Sequence, residues 1–392
     1  MELQKILSLI PSGLLEELAI ETDVDVFSKK LQGEVVFKLL LHCIISHKDN
    51  SLRGMESTYE TLFFGLINRK HHRKSVRYSS ISKRLSTINP DYFEKLFENC
   101  VSLYKKELGK EREAIIRFDS TIVSLSSKLL NIGYNLKGGG AENVRQLKFT
   151  IGYANEIAEK VFFSHSQSHT SENVALREAI VIQSANDNDS VKVFDRGITS
   201  RNTYDFFTDN DIQFISRVSS GSKYKVIRSN DTKVPLPIET NTIRIISDDW
   251  CYFYGNKDKK STHLYRRIEV LRIKDNETII FITNNQELDA EEVAELYKKR
   301  WDIEVFFKFI KQLLNFSHLL NRSENGIKVV LYVTMIAAIL LAAYKRVNNL
   351  RGFKIPKLKF ANELEIGIVQ ELIRICGGNP EKLNDFLLYN TS

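Results

Sequence analysis

The sequence predicts a mixed α/β protein whose sheet is preceded and followed by helices. Three observations predict this. Residues 1 to about 110 place apolar residues at helical spacing, and from Ala114 the chain turns to short β-rich runs separated by polar turns. After Leu288, long helical runs return. Within the middle region the order is three strands, a helix, a strand, a helix and a strand, which indicates a mixed sheet. A chain of 392 residues suffices for two or three domains, and 43% hydrophobic with 27% charged residues excludes a disordered chain.

The helical front contains the apolar run Gln32–Ile45, a second run Leu52–Leu66 and a third over Asp91–Leu108. Between the last two, SSISKRLSTINP has serines suited to a helix start and a proline that stops it. The strands are AIIRFDSTIVSL, LKFTIGYAN and KVFFSHS, then VKVFDRG and IQFISRV, with a helix over Ser171–Ala185. Residues 221–289 form a second β block, in which IRII, WCYFY, LYRRIEVLRI and TIIFIT are broken by Asp/Asn/Lys turns. One helix is then expected over Asp289–Leu314, and a last helix pair split by Gly377, Gly378 and Pro380. Val329–Tyr344 is wholly apolar in character. Its sixteen residues span about 24 Å as a helix, short of the roughly 30 Å of a bilayer interior, so it reads as a buried core helix.

Charge is distributed unevenly. The chain carries 56 Lys+Arg against 49 Asp+Glu, a net charge of +7, and residues 61–90 alone account for it. That stretch has no acid and contains Arg69, Lys70, Arg73, Lys74, Arg77, Lys83 and Arg84. Such concentration suits a local polyanion-binding surface, against the plainer alternative of a solvated basic loop. Cys43, Cys100, Cys251 and Cys376 are widely spaced without a CxxC pair, which argues against a zinc site or a disulfide framework. With acids at Glu2, Glu16 and Glu17 the N-terminus is a poor signal peptide, so a cytoplasmic protein is expected.

The segment after Asp289 is the most informative for chemistry. At about 100° per residue, Tyr297, Arg300, Glu304, Lys308 and Lys311 share a stripe roughly 80° wide, while Ile303, Phe306, Phe307, Ile310, Leu313 and Leu314 fall opposite. A solvated face with i,i+4 ion pairs is the plain reading. A single acid among cations also suits a metal ligand beside phosphate-binding groups. Asp119 follows the apolar run AIIRF, and Asp195 follows VKVF, so both read as strand-end carboxylates, where ligands of α/β folds gather. Two such aspartates and a helical glutamate could hold two Mg²⁺ ions, because hard divalent ions prefer oxygen ligands. Gly138-Gly139-Gly140 lacks the frame of a nucleotide-binding loop, His165 and His169 lack a zincin glutamate, and His71-His72 only adds donors to the basic run.

The spacing Tyr297-x2-Arg300-x3-Glu304-x6-Lys311 resembles the Tyr-Arg-Glu-Lys signature of bacterial DDE-type insertion-sequence transposases, the insertion-sequence-four family. Asp119-Ser120-Thr121 resembles that family's first aspartate block and Phe194-Asp195-Arg196-Gly197 its second. The separations of 76 and 109 residues leave room for a β insertion before the glutamate, and the resemblance covers about 112–345.

The resemblance implies a ribonuclease-H-like catalytic core interrupted by a β-rich insertion, with an all-α N-terminal DNA-binding domain and a helical C-terminus. The implied domains are 1–111 (DNA binding), 112–220 (first part of the core), 221–289 (insertion), 290–346 (second part, with the glutamate helix) and 347–392 (C-terminal helices, with candidate dimer contacts). Asp119, Asp195 and Glu304 would be the catalytic, metal-binding triad, using Mg²⁺ with Mn²⁺ able to substitute. Tyr297, Arg300 and Lys311 would hold transposon-end phosphates, as would Arg217. Trp250 is a candidate for stacking a flipped base, or else a core tryptophan. The basic stretch would lead into a helix-turn-helix. The implied activity is cut-and-paste transposition, with double-stranded transposon ends and target DNA as partners and a homodimer in the DNA complex. Neither a membrane nor a small-molecule cofactor is expected. A non-catalytic DNA-binding repressor of transposition and a general ribonuclease-H-like nuclease are the alternatives.

Overall fold

The computed structural model describes residues 6–7, 9–11, 13–46, 51–68, 75–109, 115–126, 134–135, 144–163, 171–187, 189–231, 235–255, 259–316, 320–321 and 323–383, with backbone alone at 121–126, 134–135 and 144–147. Of the residues singled out above, Glu2, Arg69, Lys70, His71, His72, Arg73, Lys74, Gly138, Gly139, Gly140, His165 and His169 lie outside the described residues. The chain divides into a helical unit, Met1–Gly109 with Lys308–Ser392, and a sheet-bearing unit, Lys110–Phe307.

The helical unit begins with α1 (Leu14–Glu21), α2 (Gly33–Ser46), α3 (Leu52–Glu60), α4 (Leu62–Ile67), α5 (Tyr78–Thr87) and α6 (Asp91–Leu108). Where one helix was expected over Leu52–Leu66, there are two. Thr61 adopts an extended backbone, and its side chain accepts a hydrogen bond from Phe64 N, so it caps a new helix instead of continuing the old one. In α6, Asp91 and Glu94 occupy the first turn and Lys105 and Lys106 the last, each complementing the helix dipole. Tyr92, Phe93, Leu96, Phe97, Cys100, Val101 and Tyr104 recur at helical spacing and bury one face.

The sheet-bearing unit holds β1 (Ile115–Ser126), β2 (Tyr134–Asn135), β3 (Val144–Ala154), β4 (Ile157–Phe163), α7 (Glu172–Ser184), β5 (Val191–Phe194), α8 (Arg201–Asp209) and β6 (Phe214–Val218). It continues through β7 (Tyr224–Ser229), β8 (Ile238–Glu239), β9 (Ile243–Phe253), β10 (Tyr265–Arg272) and β11 (Glu277–Thr283) into α9 (Ala290–Lys298) and α10 (Trp301–Leu313). The unit boundary at residue 307 falls inside α10. All the strands join one sheet, in the order β2-β3-β1-β5-β6-β11-β10-β9-β7, with β4 on β3 and β8 on β9. β1, β5 and β6 are parallel, and the strands outside them pair antiparallel. The second β block therefore extends the first through the β6–β11 pair instead of forming a separate sheet. IRII and WCYFY are parts of one strand, β9.

Both faces of the sheet are covered. Ile116, Phe118 and Phe194 pack with Leu176 and Ile180 of α7 and Tyr204 and Phe207 of α8. On the other face Ile115, Val191, Val193 and Ile215 pack with Ala290, Val293, Ala294 and Tyr297 of α9. The alternation follows from the two-residue repeat of a strand. The antiparallel half is pinned by a buried network. Arg266 donates to both oxygens of Asp248, the closer at 2.6 Å, and both side chains are essentially inaccessible. Asp248 also accepts from Asn230, whose amide oxygen accepts from the Trp250 indole.

The chain then returns to the helical unit through α11 (Glu324–Val347) and α12 (Lys354–Ile375). Every residue of Val329–Tyr344 is buried within α11, which packs against α2, α5, α6 and α12. By length and composition α11 could cross a bilayer, but 94% of its most apolar window is buried inside the protein. All-round apolarity is what a helix enclosed by other helices requires. The expected last helix pair begins with α12; residues 381–383 are helical, and residues 384–392 lie outside the described residues.

Substituting Asp248→Ala leaves the Arg266 guanidinium buried with only carbonyl partners. The expected loss is about 3–5 kcal/mol, read as a lower urea midpoint with the slope unchanged.

Candidate active site

The two aspartates meet because of strand register. β1 and β5 run parallel with Phe118 opposite Phe194, so Asp119 and Asp195 are the next residues of neighbouring chains. Each lies two residues beyond a side chain on the α9 face, Arg117 and Val193, and alternation directs both to that face. Asp195 is the first residue past β5, as expected. Asp119 is not at a strand end: β3 continues to pair with β1 from Asp119 to Ser126 after β5 has stopped.

The expected single helix over Asp289–Leu314 is interrupted. α9 ends at Lys298, α10 begins at Trp301, and the amides of Arg300, Asp302 and Ile303 bond to carbonyls three residues back in a tightened turn. Arg117, buried in β1, adds a second hydrogen bond to the Lys299 carbonyl, which already accepts from the Asp302 amide: its Nε donates to Lys299 O at 2.9 Å, and its guanidinium lies 3.4 Å from Asp302. The junction is thus fastened to the strand that carries Asp119. From α9, Tyr297 Oη donates to Asp195 Oδ1 at 2.8 Å. Arg300 in the turn pairs with Glu304 in α10 at 2.6 Å.

These contacts separate the two aspartates electrostatically. Burial pushes the Asp119 carboxyl up to about 6, helped by the negative charges of Glu172 and Glu304 and opposed by the Ser120 amide and Arg300. Burial would raise Asp195 as well, but the Tyr297 hydroxyl, the Arg196 amide and the charges of Arg300 and Arg217 outweigh it and hold Asp195 below the usual range. Burial likewise raises Tyr297, so its proton stays on the phenol. For Arg300, burial is outweighed by Tyr297, Glu304 and Asp195, and its proton affinity rises. Arg300 thus acts on all three carboxylates, and its Nε is buried without a hydrogen-bond partner.

The donor set is all oxygen, as a hard divalent ion requires. One oxygen of Asp195 and one of Glu304 are engaged, by Tyr297 and Arg300, and each carboxylate keeps a second oxygen. Among the described residues no three His, Cys, Asp or Glu side chains stand close enough to enclose a metal. The environment draws a cation in, and in this structure that cation is the Arg300 guanidinium.

Of the other candidates, Arg217 lies 3.9 Å from Asp195 and belongs to the same site. Lys311 is half-buried on α10 beyond the unit boundary. Trp250 is 6% exposed and held by Asn230, so stacking a base on it would first require opening the sheet network. In the basic stretch Arg77 and Lys83 are exposed, but Arg84 turns inward, donating to Leu31 O at 2.8 Å and Val24 O at 2.6 Å. Its charge ties α5 to the loop between α1 and α2 instead of facing a polyanion. Sequence reasoning missed four neighbours of the site. Arg117 reads as one more polar residue in a strand, and Lys148 is buried with its proton affinity lowered by that burial. Glu172 opens α7, and Trp301 is 61% exposed beside Arg300. A charge inside a β-rich run was the only signal available for Arg117 and Lys148.

Residues 110–341, more than half of the chain, match the family model described as the transposase DDE domain. The chain belongs to this DDE transposase family. A Sinorhizobium fredii protein named as a transposase is 31% identical over 170 residues, 43% of this chain and 46% of that one. A Synechocystis protein named as a transposase for an insertion sequence element is 29% identical, covering 63% of this chain and 66% of the relative. One from Geobacillus stearothermophilus is 24% identical and covers 72% and 75%. The chain spans about half the length of the first of these and about two thirds of the second. Among solved structures, a piggyBac transposase synaptic complex with hairpin DNA aligns with 98% of this chain and 84% of its own, at 9% identity and a TM-score of 0.49.

Because its folded-state proton affinity is raised, ionising Asp119 destabilises the folded chain as the pH climbs from the ordinary 3.8 to about 6, and the cost is constant above that. Asp119→Asn removes it. Without divalent ions the variant should be more stable than wild type by about 1–3 kcal/mol near neutral pH. That difference should shrink as the pH falls below 6 in urea titrations; a gap independent of pH would contradict the assignment.

Proposed function

We propose that this chain is a cut-and-paste DNA transposase acting at the inverted terminal repeats of its own element. The observation that carries this reading is the convergence of Asp119, Asp195 and the Arg300–Glu304 pair on one face of the parallel strands. The order β4-β3-β1-β5-β6, antiparallel for three strands and then parallel, supports the ribonuclease-H-like description of the core. Family membership supports the chemistry.

Asp119, Asp195 and Glu304 would hold the divalent ions, taken as Mg²⁺ with Mn²⁺ able to substitute. Such ions, when bound, supply Lewis acidity for phosphoryl transfer. Tyr297 keeps its proton and orients Asp195 through Oδ1. Arg300 and Arg217 offer positive charge to the phosphate under attack. In the first step a water oxygen bonds to phosphorus, the bond to O3′ breaks, and the transposon strand leaves with a 3′-hydroxyl. In the second, that hydroxyl attacks a target phosphate and displaces the target's own 3′ oxygen, with no covalent protein intermediate. Arg77 and Lys83, with the basic residues before them, would contact phosphates during docking. A homodimer would pair the two ends.

Glu304→Gln should reduce Mg²⁺-dependent cleavage of terminal-repeat DNA by at least about 10³-fold, while binding of the same DNA changes little. Undiminished cleavage would refute the triad. Equal cleavage of repeat and random DNA by the wild type would instead favour a general nuclease.

A further inference from the structure

The sheet-bearing unit contains a cavity of about 790 Å³ next to the aspartates, and the chemistry proposed above does not use it. Arg196 and Arg217 stand at its edge toward Asp195, while Arg201, Lys223 and Lys259 line the rest. Five cations and no acid appear among its described lining residues; hydroxyls, amides and two tyrosines make up most of the remainder. So one-sided a lining is unusual for a chain that carries nearly as many acids as bases.

Two features mark the cavity as a site for a ligand. Nε of Arg201 and Nε of Arg217 are both buried without a hydrogen-bond partner, a state that ordinarily calls for an explanation. Arg201 is nevertheless rigidly held. Its guanidinium lies 5.3 Å from the Phe253 ring and 5.6 Å from Tyr204, its stem passes close to Gly255, and Nη2 lies 3.4 Å from Ser222 Oγ. The cavity also receives the N-terminal turn of α8, where Ser200 makes no side-chain cap, so the positive end of the helix dipole adds to the field.

We propose that this cavity binds the phosphodiester backbone of an unpaired DNA strand next to the scissile bond, a second DNA site that rests on the transposase reading. Arg217 is shared between cavity and carboxylates, so a strand leaving the reacting phosphate enters the cavity directly. The volume is that of a pocket enclosing one small ligand, so a strand must enter it unpaired. A shallower depression shares Gly221, Ser222, Lys223 and Tyr254 with the cavity and adds exposed Tyr224. Cations along a backbone path with aromatic faces beside it are the usual means of holding single strands.

The test uses the full chain carrying Glu304→Gln, without divalent ions, and fluorescence anisotropy. Terminal-repeat duplexes are either blunt or carry a short single-stranded extension past the element boundary. The extension should tighten binding about tenfold. Arg201→Gln and the exposed-site variant Lys259→Gln should each lose most of that gain with blunt-duplex affinity intact, and Arg201→Lys should keep part of it. The salt dependence of the extended DNA should fall by about 0.7 in logarithmic slope for each phosphate that the variant no longer neutralises. Equal weakening on both DNAs, or no change in the Lys259 variant, overturns the proposal. So does tight binding of a nucleoside triphosphate with no preference for the extension, which would assign the cavity to a free nucleotide. Cleavage by the Glu304 wild type with Mg²⁺ is run in parallel. Absence of that cleavage would count against the transposase reading alone, since the binding comparison needs no chemistry.

Discussion

The geometry of the candidate site depends on one contact, that between buried Arg117 and the carbonyl of Lys299. A helix interrupted beside a sheet is held in place only if its turn is tied to a neighbour, and here the Lys299 carbonyl accepts both the Asp302 amide and Arg117 Nε. Arg117 supplies that tie from within β1, two residues before Asp119. The break then separates the segment carrying Tyr297 from the segment carrying Glu304, with Arg300 in the turn between them. An uninterrupted helix would present these three on one straight stripe. Broken and fastened, it gives Tyr297 to Asp195 and pairs Arg300 with Glu304.

The electrostatics follow from this placement. Asp119 is the more buried of the two aspartates and receives one backbone amide; Asp195 receives a phenol and lies near two arginines. Neighbouring carboxylates of opposite tendency are a common arrangement where protons and cations compete for one locus. Arg300 is central because its charge reaches every carboxylate of the proposed triad, making it the structure's own counter-ion. The charge distribution beyond it has the same character. Arg217 joins the carboxylates to a cavity whose described lining residues include no acid, so the field changes sign along the proposed course of one strand.

Much of the fold was legible residue by residue. The α6 limits agree with the pattern over Asp91–Leu108, because an apolar face at helical spacing and charged residues at both ends are local signals. The α3–α4 break was missed because Thr61 is an ordinary helix residue until its side chain is seen capping Phe64. The apolar run that stops before Asp119 suggests a strand end there, whereas the β3 ladder, whose partner for Asp119 is Ile151, carries β1 further. Arg84 shared its composition signal with Arg77 and Lys83, and only its reach to Val24 and Leu31 distinguishes it.

By itself the sequence determined the class of structure, the periodicity of most elements, and the short list of carboxylates and cations from which a site could be built. These are consequences of neighbours in the chain, since side-chain alternation and helical repeats are properties of adjacent residues. Tertiary structure alone decided that two β blocks are one sheet, that the glutamate helix is broken at Arg300, that Trp250 faces inward, and that five cations line one cavity. Each of these rests on partners distant in sequence, as Arg117 and Lys299 are 182 residues apart. No local pattern encodes which distant carbonyl a strand arginine will meet.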